Sequence, residues 1–392
     1  MPLTALEKQI SISTIGTIMS AAYATGLVTN CIFLKYSAIV SVKKSFFAAA
    51  PITSMTMIVL GLIYFIDDAI EFEIIFLLCR LFCGITNTIE CCCIVPMVTN
   101  IIPEHANSFV AVLQVFVGAG SFSGPVIGSM FIRAFSNPTI TFLFLGATQQ
   151  FISLLILIAF CFINEAKQKQ KPPEEDNNNF KSLSSVFENT SMTHFFIFSL
   201  YVLFFMITNG FLEVSITIVY KDKLEIGYKS NWIFFFYRDL GYIPTSIIIS
   251  WLTKWKLNNF MFAASLIFLS ISNVMYIAIN IFDVQTTLNY VLAGVFHAMG
   301  YALQSTTALF ILEQCIKLKS LQKSYVRLVV FTWLMIIRQS GRLFGTQMVG
   351  GILFSHFTFY EIMLFATIIL NIPLFLANFL SLIFGNYFSQ CD

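Results

Sequence analysis

Charge is what this sequence has least of. Only 11% of its 392 residues are Asp, Glu, Lys or Arg, against 57% hydrophobic ones. Soluble domains carry about 25% charge and cannot bury so much apolar surface, so an integral membrane class is expected. The net charge of +2 gives no ground for a nucleic-acid partner. Histidine occurs four times, and no glycine-rich nucleotide loop, metal-ligand spacing or catalytic triad stands out. An enzyme is therefore not expected, and no cofactor or metal is called for. The nine cysteines lie mostly in apolar segments. Cys91, Cys92 and Cys93 are consecutive, and adjacent helical positions point in different directions, so they cannot ligate one metal together. They read as small apolar packing residues rather than a disulfide framework.

What fills the sequence is apolar segments, each near the ~20 residues that cross a bilayer as a helix. Five lie at 12–34, 45–66, 73–98, 106–132 and 139–163, and six more at 194–220, 231–252, 258–281, 286–312, 327–354 and 360–386. Between the two sets runs a polar stretch with Lys-Gln-Lys-Gln-Lys, Pro-Pro, Glu-Glu-Asp and three consecutive Asn, the composition of a solvated linker. The expected organisation is a helical bundle over 1–163, a cytoplasmic linker over 164–193 and a second bundle over 194–392. The apolar run near the start lacks a cleavage-type ending and is not read as a signal peptide.

The most distinctive stretch is Gly118 to Ser129. Gly120, Gly124 and Gly128 recur every four residues, so they share a helix face. Small residues at that spacing let a neighbouring helix approach to backbone contact. Pro125 removes a helical donor and is expected to bend the segment.

An internal repeat relates the two bundles. Phe46-Phe47-Ala48-Ala49-Ala50 mirrors Phe260-Met261-Phe262-Ala263-Ala264, Gly84 falls opposite Gly300, and Gly120-x-x-x-Gly124 falls opposite Gly341-x-x-x-Gly345. The same offset carries the 194–220 helix to a position before Met1, so a first helix is expected to be missing and the count to be about eleven. The positive-inside rule then places the linker and the C-terminus on the cytoplasmic side. That side gathers Lys35, Lys43, Lys44, the linker lysines, Lys254, Lys256, Lys317, Lys319, Lys323 and Arg327. The opposite side has Lys8, Arg133, Lys221, Lys223 and Lys229 with the acidic Asp67, Asp68, Glu71 and Glu73.

The string Gly-x-x-x-Gly-Pro-x-x-Gly-Ser resembles the fifth-helix antiporter signature of the major facilitator superfamily, with Ser129 in place of the usual final glycine. Within that superfamily the chain resembles the vesicular amine transporter family (solute carrier family 18), in particular its polyamine-transporting branch. Leu34-Lys35-Tyr36 through Lys44 resembles a worn form of the loop between helices two and three, and Arg80 the fourth-helix arginine. Gly210-Phe211-Leu212-Glu213 resembles Gly-Phe-Leu-Asp of helix seven, and Leu312-Glu313 the Pro-Glu-Ile-Leu region of helix ten. The chain departs at Gln114, where the family has an acid, and lacks the loop arginine and aspartate. The resemblance implies a two-bundle, all-α transporter exchanging a small organic cation, a polyamine or monoamine, for protons across a vesicular, endomembrane or plasma membrane.

Several residues carry chemistry on their own account. An ionised carboxylate at bilayer depth costs about 2.5–3.5 kcal/mol on the lowest scales, so intramembrane acids default to function. Glu213 lies deep in its helix and reads either as a titrating group that alternates between cation and proton, or as an arginine-paired packing element. Glu90 reads the same way and, ten residues from Arg80, is no direct partner to it. Glu313 is expected to be interfacial, four residues before Lys317. Arg338 and Arg342 share a face and need carboxylate or carbonyl partners, and Arg80 is a candidate for coupling protonation to movement. His297 is a proton-relay candidate, more simply a hydrogen-bonding residue. Tyr23, Trp232, Phe236, Tyr237 and Tyr301 offer cation–π faces, but 44 phenylalanines make that signal weak. Against a transporter stands a second class: a non-transporting membrane protein derived from one, with a structural or partner-binding role.

Overall fold

The computed structural model describes residues 8–36, 42–101, 138–167, 192–224, 232–252, 258–282, 286–315, 323–347 and 356–365, together with Ala5, Thr367, Ile368 and single helical positions between 112 and 135. Among them there is no β-strand. The helices are α1 (Ile12–Tyr36), α2 (Val42–Leu62), α3 (Ala69–Ile101), α4 (Pro138–Lys167), α5 (Met192–Leu224), α6 (Trp232–Leu252), α7 (Asn258–Ile281), α8 (Thr287–Gln314), α9 (Lys323–Phe344) and α10 (Phe359–Phe365). Helix starts follow local polar chemistry. Ser11 Oγ accepts from the Thr14 amide at 3.1 Å ahead of α1. Asp68 Oδ1 accepts from the amides of Ile70 and Glu71, both at 2.9 Å, ahead of α3. Each satisfies amide donors that the first helical turn leaves open.

Four helical stretches are long and apolar enough to cross a membrane by length and composition, among them Ile12–Tyr36 and Phe195–Glu213. The outward faces agree. On α3, Ile70, Ile74, Leu78 and Phe82 form an exposed stripe at four-residue spacing, a surface suited to lipid rather than water.

The helices fall into two groups. In one, α1 packs on α3, and α2 packs on α3 and α4; in the other, α5 packs on α9, α8 packs on α6 and α7, and α10 packs on α7. The groups meet where α1 and α3 lie against α9. Apolar clusters support both sides of that seam. Phe33, Cys92 and Cys93 are buried together in the first group, while Tyr201, Phe205, Met206, Val330 and Leu334 share the large core of the second.

Glycines set helix approach at several described positions. A Cβ built at Gly120, Gly124 or Gly128 meets nothing within 4 Å among the described residues, which leave out most of 102–137, Pro125 and its expected bend included. Close approach occurs at Gly210, where a Cβ would stand 2.7 Å from the Arg342 carbonyl oxygen, and at Gly341, 2.6 Å from that of Leu203. Gly345 packs on the Ile207 carbonyl, and Gly84 on that of Ala22. These contacts press α5 onto α9 and α1 onto α3.

Candidate functional site

Three helices carry polar residues four apart, and each set therefore lies on one helix face. On α5 these are Asn209 and Glu213; on α8, His297, Tyr301 and Ser305; on α9, Arg338 and Arg342. The glycine contacts between α5 and α9 bring the first and last sets together. Opposite them stands Tyr23 of α1.

Glu213 is the centre. Its carboxylate accepts a hydrogen bond from the Tyr23 hydroxyl and one from Asn209 Nδ2 at 3.1 Å. Arg342 Nη2 lies 3.4 Å from Glu213 Oε1, with both side chains about a quarter exposed. The Arg342 guanidinium also sits 5.6 Å from the centroid of the Tyr23 ring, within cation–π range, and Nη2 donates to the Tyr301 hydroxyl at 3.3 Å. Asn209 continues the chain of contacts. Its amide gives Nδ2 to Glu213, so Oδ1 faces His297 Nε2 at 3.2 Å, and an acceptor there requires His297 to carry a proton on Nε2. Phe205 stacks on both His297 and Tyr301, each at 5.8 Å between centroids.

The other candidates surround this centre or lie outside it. Arg338 Nη2 donates to the Ser305 carbonyl oxygen at 3.0 Å, and Arg80 Nη2 to that of Met19 at 3.4 Å. Arg342 thus has a carboxylate partner and Arg338 a carbonyl. Glu90 stands apart, accepting from Thr53 Oγ1 at 2.5 Å. Glu313 lies on α8, but its side chain is outside the described residues, as are Gln114 and the side chains of Arg238 and Asp239. Cys91 lies within electrostatic range of Glu90, Arg338 and Arg342, which places the two arginines toward α3 and the seam.

Sequence reasoning passed over Asn209, although its position four residues before Glu213 was signal enough. It also passed over Gln347, which joins the turn after α9 to α1: Ser20 Oγ donates to its Oε1 at 2.8 Å, and its Nε2 donates to Thr17 Oγ1 at 3.1 Å.

Two groups of apolar helices meet at a polar seam, with a carboxylate bonded across it, the architecture of a membrane helical bundle. The chain belongs to the Major Facilitator Superfamily, whose sequence model matches residues 1–346. Among solved structures it is similar to the human organic anion transporter MFSD10 (TETRAN), with a TM-score of 0.59 at 13% identity over 95% of this chain and 82% of that one. At that identity the likeness shows the fold alone. No curated protein sequence matches the chain. Members of this family are multi-pass membrane proteins that carry small molecules rather than enzymes, and the chain is of that kind.

Proposed function

We propose that the chain is a proton-coupled secondary transporter working by antiport, with Glu213 as the group that exchanges proton for cargo. One observation carries this reading: Glu213 is bonded at once to Tyr23 of one helix group and Arg342 of the other. Ionised, it ties the groups together at the seam. A proton on it weakens the charge-assisted bond from Tyr23 across the seam and cancels the charge that holds Arg342 beside it, so proton binding favours a rearranged seam, the linkage that alternating access requires. Arg80, which lies within electrostatic range of Tyr23, is placed to sense that change. Glu90 on α3 and Glu313 on α8 are proposed as further acids on the path.

The cargo implied by the resemblance is an organic cation such as a polyamine or monoamine. It would take the place of Arg342 at Glu213, because one carboxylate cannot hold a cation and its own proton together. The two bundles, 1–163 and 194–392, would then rock about this seam within a vesicular, endomembrane or plasma membrane. A second reading, a non-transporting membrane protein, is favoured by the same pair: a carboxylate matched by an arginine can serve packing alone.

The deciding experiment is amine uptake into proteoliposomes under an imposed pH gradient. Uptake should rise with the gradient and collapse when it is dissipated. Glu213→Gln keeps the shape and removes the charge and the titration, so it should abolish gradient-driven exchange in protein that remains folded. Exchange at the parent rate in Glu213→Gln would make Glu213 structural.

A further inference from the structure

The seam holds more positive than negative charge, and the surplus is located. Arg80, Arg338 and Arg342 all lie around it, but the described carboxylate among them is Glu213, which is engaged by Arg342. Glu90 is turned to Thr53. Arg338 has a carbonyl acceptor at Ser305, while its Nε is buried with no acceptor. The groups within electrostatic range of it are Tyr301, Tyr242, Arg342 and Cys91, and none of these is a carboxylate. A guanidinium kept among apolar helices with no counter-charge among the described residues is costly. A second cation one turn away at Arg342, on the same face, adds to that cost. Such an arrangement persists where a ligand supplies the missing charge.

We propose that Arg338 is an anion-binding site in the transport pathway, holding a carboxylate or halide one helical turn from Arg342, the residue paired with Glu213. Its planar fork of donors suits either ion, and the hydroxyl-bearing rings of Tyr242 and Tyr301 flank it. The anion has two possible sources. It is an acidic group on the cargo itself, or a free inorganic anion that accompanies a cationic cargo. This rests on the reading of the seam as the transport site, but its test needs no gradient and so fails or holds independently of proton coupling.

The test is thermal unfolding of the purified full-length protein in detergent, with gluconate as the background anion. Chloride, 4-aminobutyrate and putrescine are added separately as probes. In the parent, chloride or 4-aminobutyrate should raise the unfolding midpoint, and putrescine alone should not. Arg338→Gln should unfold at a higher midpoint than the parent in gluconate, because an uncompensated charge is gone, and should lose the anion response. Arg338→Lys should keep the response with roughly ten-fold weaker apparent affinity, since the fork is lost but the charge remains. A response to chloride assigns a free anion, and a response to 4-aminobutyrate without one to chloride assigns the cargo's own carboxylate. Three results would each overturn the site: no response to either anion in the parent, the same response in Arg338→Gln, or a lower midpoint for Arg338→Gln in gluconate.

Discussion

Tyr23 and Glu213 meet across 190 residues of chain, the phenol of one donating to the carboxylate of the other. The bond links α1 to α5 at the seam between the helix groups, and Arg342 completes it from α9. Tyr23→Phe isolates the hydroxyl, because the ring that faces the Arg342 guanidinium is retained. A hydrogen bond to a charged group contributes about 1.5–3 kcal/mol. With Glu213 about a quarter exposed, the lower end applies. The unfolding midpoint of Tyr23→Phe should therefore fall by a few degrees, and exchange should slow without disappearing. An unchanged midpoint would mean that the two residues are not bonded in the membrane-embedded protein.

Gly345 makes a packing prediction. A Cβ there would meet the Ile207 carbonyl and stand 2.9 Å from the Phe211 amide nitrogen. Gly345→Leu should push the end of α9 off α5 and part Arg342 from Glu213, at a cost of about 1–3 kcal/mol or more. Folded yield and exchange should both drop. Fluorescence-detected size exclusion of the variant beside the parent reads the difference, and a parent-like profile would mean that α5 and α9 are not held at this contact.

Much of the fold was legible because membrane helices announce themselves by length and apolarity, and α1, α7 and α8 begin within a residue of the spans read from sequence. Glu213 was legible for the same reason that makes it costly: an acid inside an apolar run has few explanations. Its partners were less so. Arg342 could be seen to need a partner but not to find it on α5, since that depends on how two helices are rotated against each other. Tyr23 was one aromatic among many. Four-residue glycine spacing states which residues share a face, not what that face meets: Gly341 and Gly345 lie against α5, a partner that the spacing alone does not assign.

Asn209 supplies the last prediction. It is buried, and its amide has both ends engaged, Nδ2 on Glu213 at 3.1 Å and Oδ1 opposite His297 Nε2 at 3.2 Å. The carboxylate fixes the direction of the amide, and the amide fixes where His297 carries its proton, so the three act as one unit. Asn209→Leu keeps the volume close but takes a donor from Glu213 and an acceptor from His297. Leaving buried polar groups without these bonds costs about 1–3 kcal/mol, and the unfolding midpoint should fall. The informative measurement is the double-mutant cycle with His297→Leu. If the two residues act through their bond, the double variant should be less destabilised than the sum of the singles, with a coupling of about 0.5 kcal/mol or more. Asn209→Gln restores the amide but displaces it by one methylene, so it should recover part of the stability and less of the exchange. Additive losses in the cycle would mean that Asn209 and His297 serve the core separately, and the chain of contacts from Glu213 would then end at Asn209.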